Sequence, residues 1–194
     1  MDFKTLFRMT TLFINDLLHL SPLLDSDKPN LLLHMNDPVL FANTLRVPLP
    51  YTPADADAWV QKATEKNAQY GTDTEFAIRH AEAGVIGGIG CFVKDGWDSH
   101  LDEIGYWLAA PYRGQGMMTE VVRRYVDYLF EKRPALVRIE AKTLPTNPAS
   151  ARVLEKVGFE REGYLRKVSV KNGKYLDSLL FALIRPTGEA LDGL

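Results

Sequence analysis

The 194-residue sequence contains one cysteine, Cys91. An intrachain disulfide and a cysteine-based metal cluster are both excluded, and such sparse cysteine use suits a reducing compartment, with the cytoplasm the expected location. The histidines, His19, His34, His80 and His100, show no metal-ligand spacing and no HExxH occurs, so no metal is expected. Long apolar runs are also missing. The N-terminal MDFKTLFRMTTLFINDLLHL is broken by Lys4, Arg8, Asn15 and Asp16, well short of the roughly 20 apolar residues that span a membrane. It lacks a clean signal-peptide core and a small-residue cleavage site; a mitochondrial presequence, suggested by Lys4 and Arg8, is the alternative to a plain N-terminal extension. Positive charge is not in excess. The net charge is −2 and no Lys/Arg-rich run appears, so nucleic acid is not the expected partner, and a small molecule or peptide fits better. With no repeat, low-complexity tract or Pro/Gly/Ser linker, residues 1–20 are read as an extension and 21–194 as one domain.

Hydrophobic residues at 46% and charged residues at 25% are ordinary for a soluble globular protein. DKPNLLLHMND reads as a short helix followed by a turn at Asp37-Pro38. TPADADAWVQKATEKNAQY is a helix with Thr52 as N-cap, Pro53 in the first turn, Asp55 and Asp57 near its positive end and Gly71 placed to stop it. TEFAIRH and VIGGIGCFV are strands separated by AEAG, and the loop KDGWDSH leads to the strand LDEIGYWL. Alternation there sets Leu101, Glu103, Gly105 and Trp107 on one face and Asp102, Ile104, Tyr106 and Leu108 on the other. Met117 to Lys132 carries Val121, Val122, Tyr125, Val126, Leu129 and Phe130 at helical spacing. A strand ALVRIEAKT, a helix NPASARVLEKV ending at Gly158, and the hairpin GYLRKVSV/YLDSLLFALI around KNGK complete the chain. This order implies an α/β (α+β layered) domain with a mixed sheet.

Gly114 and Gly116 fall where the strand gives way to the Met117–Lys132 helix. The first amides of a helix have no partner inside it, and with the helix dipole they form an anion site that glycines leave open to a pyrophosphate. A tight turn with no ligand is the competing reading. The spacing excludes two nucleotide motifs: GQGMMT has no lysine where a P-loop needs one, and Met118-Thr119 stands where a dinucleotide fingerprint needs its third glycine.

YWLAAPYRGQGMMTE, followed by NPASARVLEKVGFEREGYLRK, resembles the acetyl-CoA-binding core of the GNAT N-acetyltransferases, closest to the RimJ/RimL branch. The resemblance extends from about Ser21 to Pro186. It implies a mixed, mostly antiparallel central sheet with helices on both faces, and acetyl-CoA as co-substrate without a metal. Backbone groups of Leu108 and Ala109 are implied to pair with the pantetheine arm. The amides of Arg113, Gly114, Gln115, Gly116, Met117 and Met118 are implied to take the pyrophosphate, with Thr119 a hydroxyl donor beside them and Asn147 and Ser150 at the thioester end. The family often has Gln or Arg three residues before the first glycine; here Pro111 stands there, which implies altered phosphate contacts.

The implied chemistry is direct attack of a primary amine, of a peptide N-terminus or a small molecule, on a thioester. That needs a base, a polarised carbonyl and a proton for the leaving thiolate. Glu103 is the expected base and Ser150 the expected proton donor. The tyrosine many members carry in the helix after the asparagine is Leu154 here, and a glutamate some carry after the FxxEG segment is Ser169. Those departures keep open a catalytically weak acyl-CoA-binding or regulatory module as the alternative. A monomer or homodimer is expected. Cys91 is read as a core thiol and Trp59 as aromatic core, while Tyr51 and Trp97 are candidates for an acceptor pocket. Asp177 is left open between solvent and the acceptor amine.

Overall fold

Leu18 and Leu20 alternate with His19 and Ser21, and this period of two buries one face of a strand: both leucines are buried in the computed structural model. The structure describes residues 10–70, 74–94 and 99–186. Strand β1 (Leu12–Phe13) pairs antiparallel with β2 (Leu18–Pro22), and β2 pairs with β3 (Glu75–His80) from Leu18↔His80 to Pro22↔Phe76. The segment read as an extension up to residue 20 thus supplies sheet strands, and that boundary falls inside β2. The remaining strands are β4 (Gly84–Val93), β5 (Leu101–Leu108), β6 (Arg138–Thr143), β7 (Glu160–Lys171) and β8 (Lys174–Ile184). The sheet order is β1-β2-β3-β4-β5-β6-β8-β7. β5 runs parallel to β6, and β6–β8 and β7–β8 are antiparallel, so the expected mixed, mostly antiparallel sheet is found. Gly71, the expected helix stop, and Trp97 lie outside the described residues.

The chain divides into two compact units, one made of residues up to Gly90 with Tyr106–Val121, the other of Cys91–Gly105 and the chain from Val122 on. In the first, α1 (Lys28–Met35), α2 (Pro38–Asn43) and α3 (Pro53–Tyr70) pack Leu31, Met35, Leu40, Tyr51 and Val60 into one core. Where the sequence suggests only a turn, Asp37 caps α2: its carboxylate accepts the Val39 amide at 2.8 Å and Pro38 takes the first helical position. Thr52 and Asp55 cap α3 reciprocally, Asp55 accepting the Thr52 amide at 2.8 Å. The Arg79 guanidinium forks onto buried Asp27 at 2.6 and 2.8 Å, tying β3 to the start of α1. Trp107 lies against Trp59, ring centroids 6.0 Å apart, and Gly88 makes room for its indole, since a Cβ there would sit 2.6 Å from Nε1.

Helix α4 (Met117–Lys132) passes from the first unit into the second at Val122, and there it buries Val122, Tyr125, Val126 and Leu129 of the expected stripe and Tyr128 besides, with Phe130 half-buried. The Arg185 guanidinium donates to the carbonyls of Phe130, Arg133 and Leu136, capping the C-terminal turn of α4. Asp102, on the opposite strand face from Glu103, is fully buried and forms an ion pair with Arg133. Helix α5 (Pro148–Val157) ends at Gly158, as expected, and the β7–β8 hairpin turns at Asn172-Gly173.

Candidate functional site

In the first unit the site grows out of the end of β5. The Ala109 amide donates to the Ile86 carbonyl at 2.8 Å, and Ala110–Tyr112 form one 3-10 turn in which the amides of Tyr112 and Arg113 donate to Ala109 and Ala110. Gly114 and Gly116 follow with φ of 77° and 83°. These left-handed angles are the reason for glycine, because a Cβ at either position would meet nothing within 4 Å. Among the described residues no backbone acceptor takes the amides of Gly114, Gln115, Gly116, Met117 or Met118. The Thr119 amide donates to Gly116 at 2.9 Å and closes the first turn of α4. The result is a run of free donors at the positive end of a 16-residue helix, on a loop with open space before its glycines. Gln115 folds back to donate to the Pro111 carbonyl at 2.8 Å.

Two sequence expectations change here. The Arg113 amide is spent inside the 3-10 turn, so the run of unpaired amides begins at Gly114. The Arg113 side chain is also engaged, Nε donating to the Leu108 carbonyl at 2.8 Å and Nη2 lying 2.6 Å from Asp37 Oδ2. With the Ala109 carbonyl accepting from Tyr112 and its amide donating to Ile86, an added pantetheine strand would have to share the Leu108 carbonyl with Arg113.

The second unit holds Glu103, Asn147 and Ser150. The β5–β6 ladder runs from Leu101↔Arg138 to Ile104↔Ala141, and β5 itself continues to Leu108. Glu103 lies on the ladder, where its Oε2 accepts from Lys142 Nζ at 2.7 Å. Beside this pair Arg138 bridges Glu140 and Glu162, and the Arg138 contact, outweighing burial, holds the Glu162 carboxyl below the usual range. The expected base is therefore part of a ladder of charges. Asn147 caps α5, its Oδ1 accepting the Ser150 amide at 3.2 Å, and Ser150 is half-buried in the first turn. Asn147 and Ser150 thus stand together at the start of α5, while Leu154 is buried in the core.

A family model for the acetyltransferase (GNAT) domain matches residues 18–160. The chain belongs to this family. It is 46% identical over 86 residues to the probable N-acetyltransferase YjcK of Bacillus subtilis, covering 44% of this chain and 47% of that one. To the ribosomal protein uS5 alanine N-acetyltransferase of Escherichia coli it is 31% identical over 87 residues, 45% and 44% of the two chains. The chain spans about half the length of these curated relatives. The solved ribosomal-protein-S5-alanine acetyltransferase of Vibrio fischeri shares the fold at a TM-score of 0.79, with 23% identity over 93% of this chain and 100% of that one.

The other described sequence candidates of this GNAT chain are packed or paired. Cys91 is a buried core thiol and Trp59 packs on Trp107, as expected. Asp177 is occupied, accepting from the Tyr164 hydroxyl and the Lys167 amide at 2.7 Å each. Tyr51 is buried, and burial, followed by the Asp55 charge, pushes its hydroxyl well above the usual range. Two charged partners escaped sequence reading, Lys142 and Asp37. No local pattern marks either, since each meets its partner across strands or helices distant in sequence.

Proposed function

We propose that the chain is an acetyl-CoA-dependent N-acetyltransferase that carries the acetyl group to a primary amine of a peptide N-terminus or a small molecule by direct attack. The observation that carries this reading is the set of free amides from Gly114 to Met118 at the start of α4. Donors fixed in this way suit a pyrophosphate, and they need no side-chain charge to do so. The neutral amine nitrogen forms a bond to the thioester carbonyl carbon and the carbon–sulfur bond breaks. Glu103 takes the proton released by the amine, and the Ser150 hydroxyl gives its proton to the departing thiolate while taking one from solvent. The Lys142 ion pair leaves Glu103 Oε1 to accept that proton, since among the described residues no hydrogen bond reaches it. Sequence similarity to a uS5 alanine N-acetyltransferase supports a peptide N-terminus as one acceptor class.

The test is to incubate the protein with acetyl-CoA and a panel of amines, including peptides with N-terminal alanine or serine, following thiol release and product mass. Acetylated product with stoichiometric thiol is the expected result. CoA binding without product from any amine would favour an acyl-CoA-binding module instead.

A further inference from the structure

Gly114, Gln115 and Gly116, in the loop that opens α4, are exposed, and fixing two glycines in left-handed geometry is entropically costly. Something must hold it. Arg113, immediately before Gly114, turns its side chain back across the 3-10 turn. Its Nε donates to the Leu108 carbonyl at 2.8 Å and its Nη2 lies 2.6 Å from Asp37 Oδ2. Asp37 is itself anchored, with Oδ1 accepting the Val39 amide at 2.8 Å as the cap of α2. One guanidinium thus links the end of β5 to the start of α2. Next to it, the Tyr112 ring meets His34 edge-on at 6.4 Å and His80 at 5.7 Å, which fastens the same turn to α1 and β3.

We propose that Arg113 and Asp37 form a positioning strut: the pair fixes the turn that presents the Gly114–Met118 amides, and Arg113 does not act as a ligand of the phosphates. The inference rests on the acetyl-CoA reading above. A guanidinium engaged by a carboxylate and a carbonyl brings shape to the loop, because Asp37 cancels its charge. Neither residue type reveals this in sequence, where Arg113 looks like one more cation beside an anion site.

The strut makes a prediction of opposite sign to simple electrostatics. Asp37→Asn retains an oxygen that can cap α2 and removes only the charge. If Asp37 were merely an anion near a phosphate site, its loss would tighten CoA binding; as half of a strut, its loss weakens binding. Calorimetric titration with CoA should show Asp37→Asn and Arg113→Ala each weakening binding by roughly three- to tenfold, the order expected when a preorganised loop loses a fixing contact. The double variant should be no weaker than the worse single one, since both remove the same link. In kinetics the KM for acetyl-CoA should rise more than kcat falls. Arg113→Lys, which keeps the charge but not the planar fork, should recover only part of the loss. Thermal melts show which variants are folded, and the conservative Asp37→Asn is decisive if Arg113→Ala is not. Unchanged or tighter CoA binding by folded Asp37→Asn, or additive losses in the double variant, would overturn the strut. Wild-type protein that bound no CoA would instead remove the acetyltransferase reading.

Discussion

Gly116→Ala isolates the conformational role of the loop. At φ 83° with nothing within 4 Å of a built Cβ, the added methyl collides with no neighbour, so the entire cost is that of a left-handed L-residue, about 1–2 kcal/mol. That strain has two places to appear. If the free protein keeps the loop as it is, stability falls by the same amount, which for a chain of this size is a Tm drop of about 2–8 °C. If the loop relaxes to negative φ, the fold is spared, and the strain must be met when the amides turn back to a bound pyrophosphate. Affinity then falls by about 5- to 30-fold. Melting temperature and calorimetric CoA affinity, measured on one preparation, capture both routes. A folded Gly116→Ala protein with unchanged Tm and unchanged affinity would refute the argument that the left-handed glycine shapes an anion cradle. Gly116→Val, with a branched side chain stiff at χ1, should lose CoA binding more completely.

Other expectations follow from the second unit and from titration. Asp102→Ala strands the Arg133 guanidinium, whose side chain is 19% exposed, so the loss should lie near the lower end of the 3–5 kcal/mol typical of a broken buried pair, about 3 kcal/mol by denaturant unfolding; a loss under about 0.5 kcal/mol would show the pair to be idle. Glu103→Gln should lower turnover at neutral pH and move the pH–rate profile with little change in acetyl-CoA affinity, whereas unaltered rates from pH 6 to 9 would leave Glu103 only its ion pair with Lys142. Ser150→Ala should cut turnover by roughly ten- to a thousandfold, while Asn147→Ala should cost roughly 1 kcal/mol of stability as a lost cap; near-normal turnover in Ser150→Ala would assign the thiolate proton elsewhere. Burial lowers the pKa of His34, and burial followed by the Arg79 charge lowers that of His19. The folded state therefore binds fewer protons than the unfolded one, and stability present above about pH 6.5 is lost as the pH falls through the folded values. Melts from pH 7.5 to 5 should show that slope, and His34→Gln should flatten it.

Sequence by itself determined what obeys short-range rules. The Met117–Lys132 helix, the α5 cap at Asn147 with its stop at Gly158, and the Thr52–Asp55 box are all set within one or two helical turns. The unpaired amides of the glycine loop were legible because amide geometry at a helix start depends on the residues that form it. β2 carried a readable signal in the Leu18/Leu20 alternation, but a strand of five residues beside an apolar, charged N-terminus is easily taken for an extension. Tertiary structure alone decided which strand face was buried. Alternation separates Asp102 from Glu103 without saying that Asp102 goes inside, because that depends on Arg133 arriving from the end of α4. It alone paired Glu103 with Lys142, 39 residues away across a parallel ladder, and Arg113 with Asp37 across the turn before the glycine loop. Caps and periodicities are fixed by neighbours along the chain, but an ion pair between distant residues exists only once register and packing have brought the two charges together.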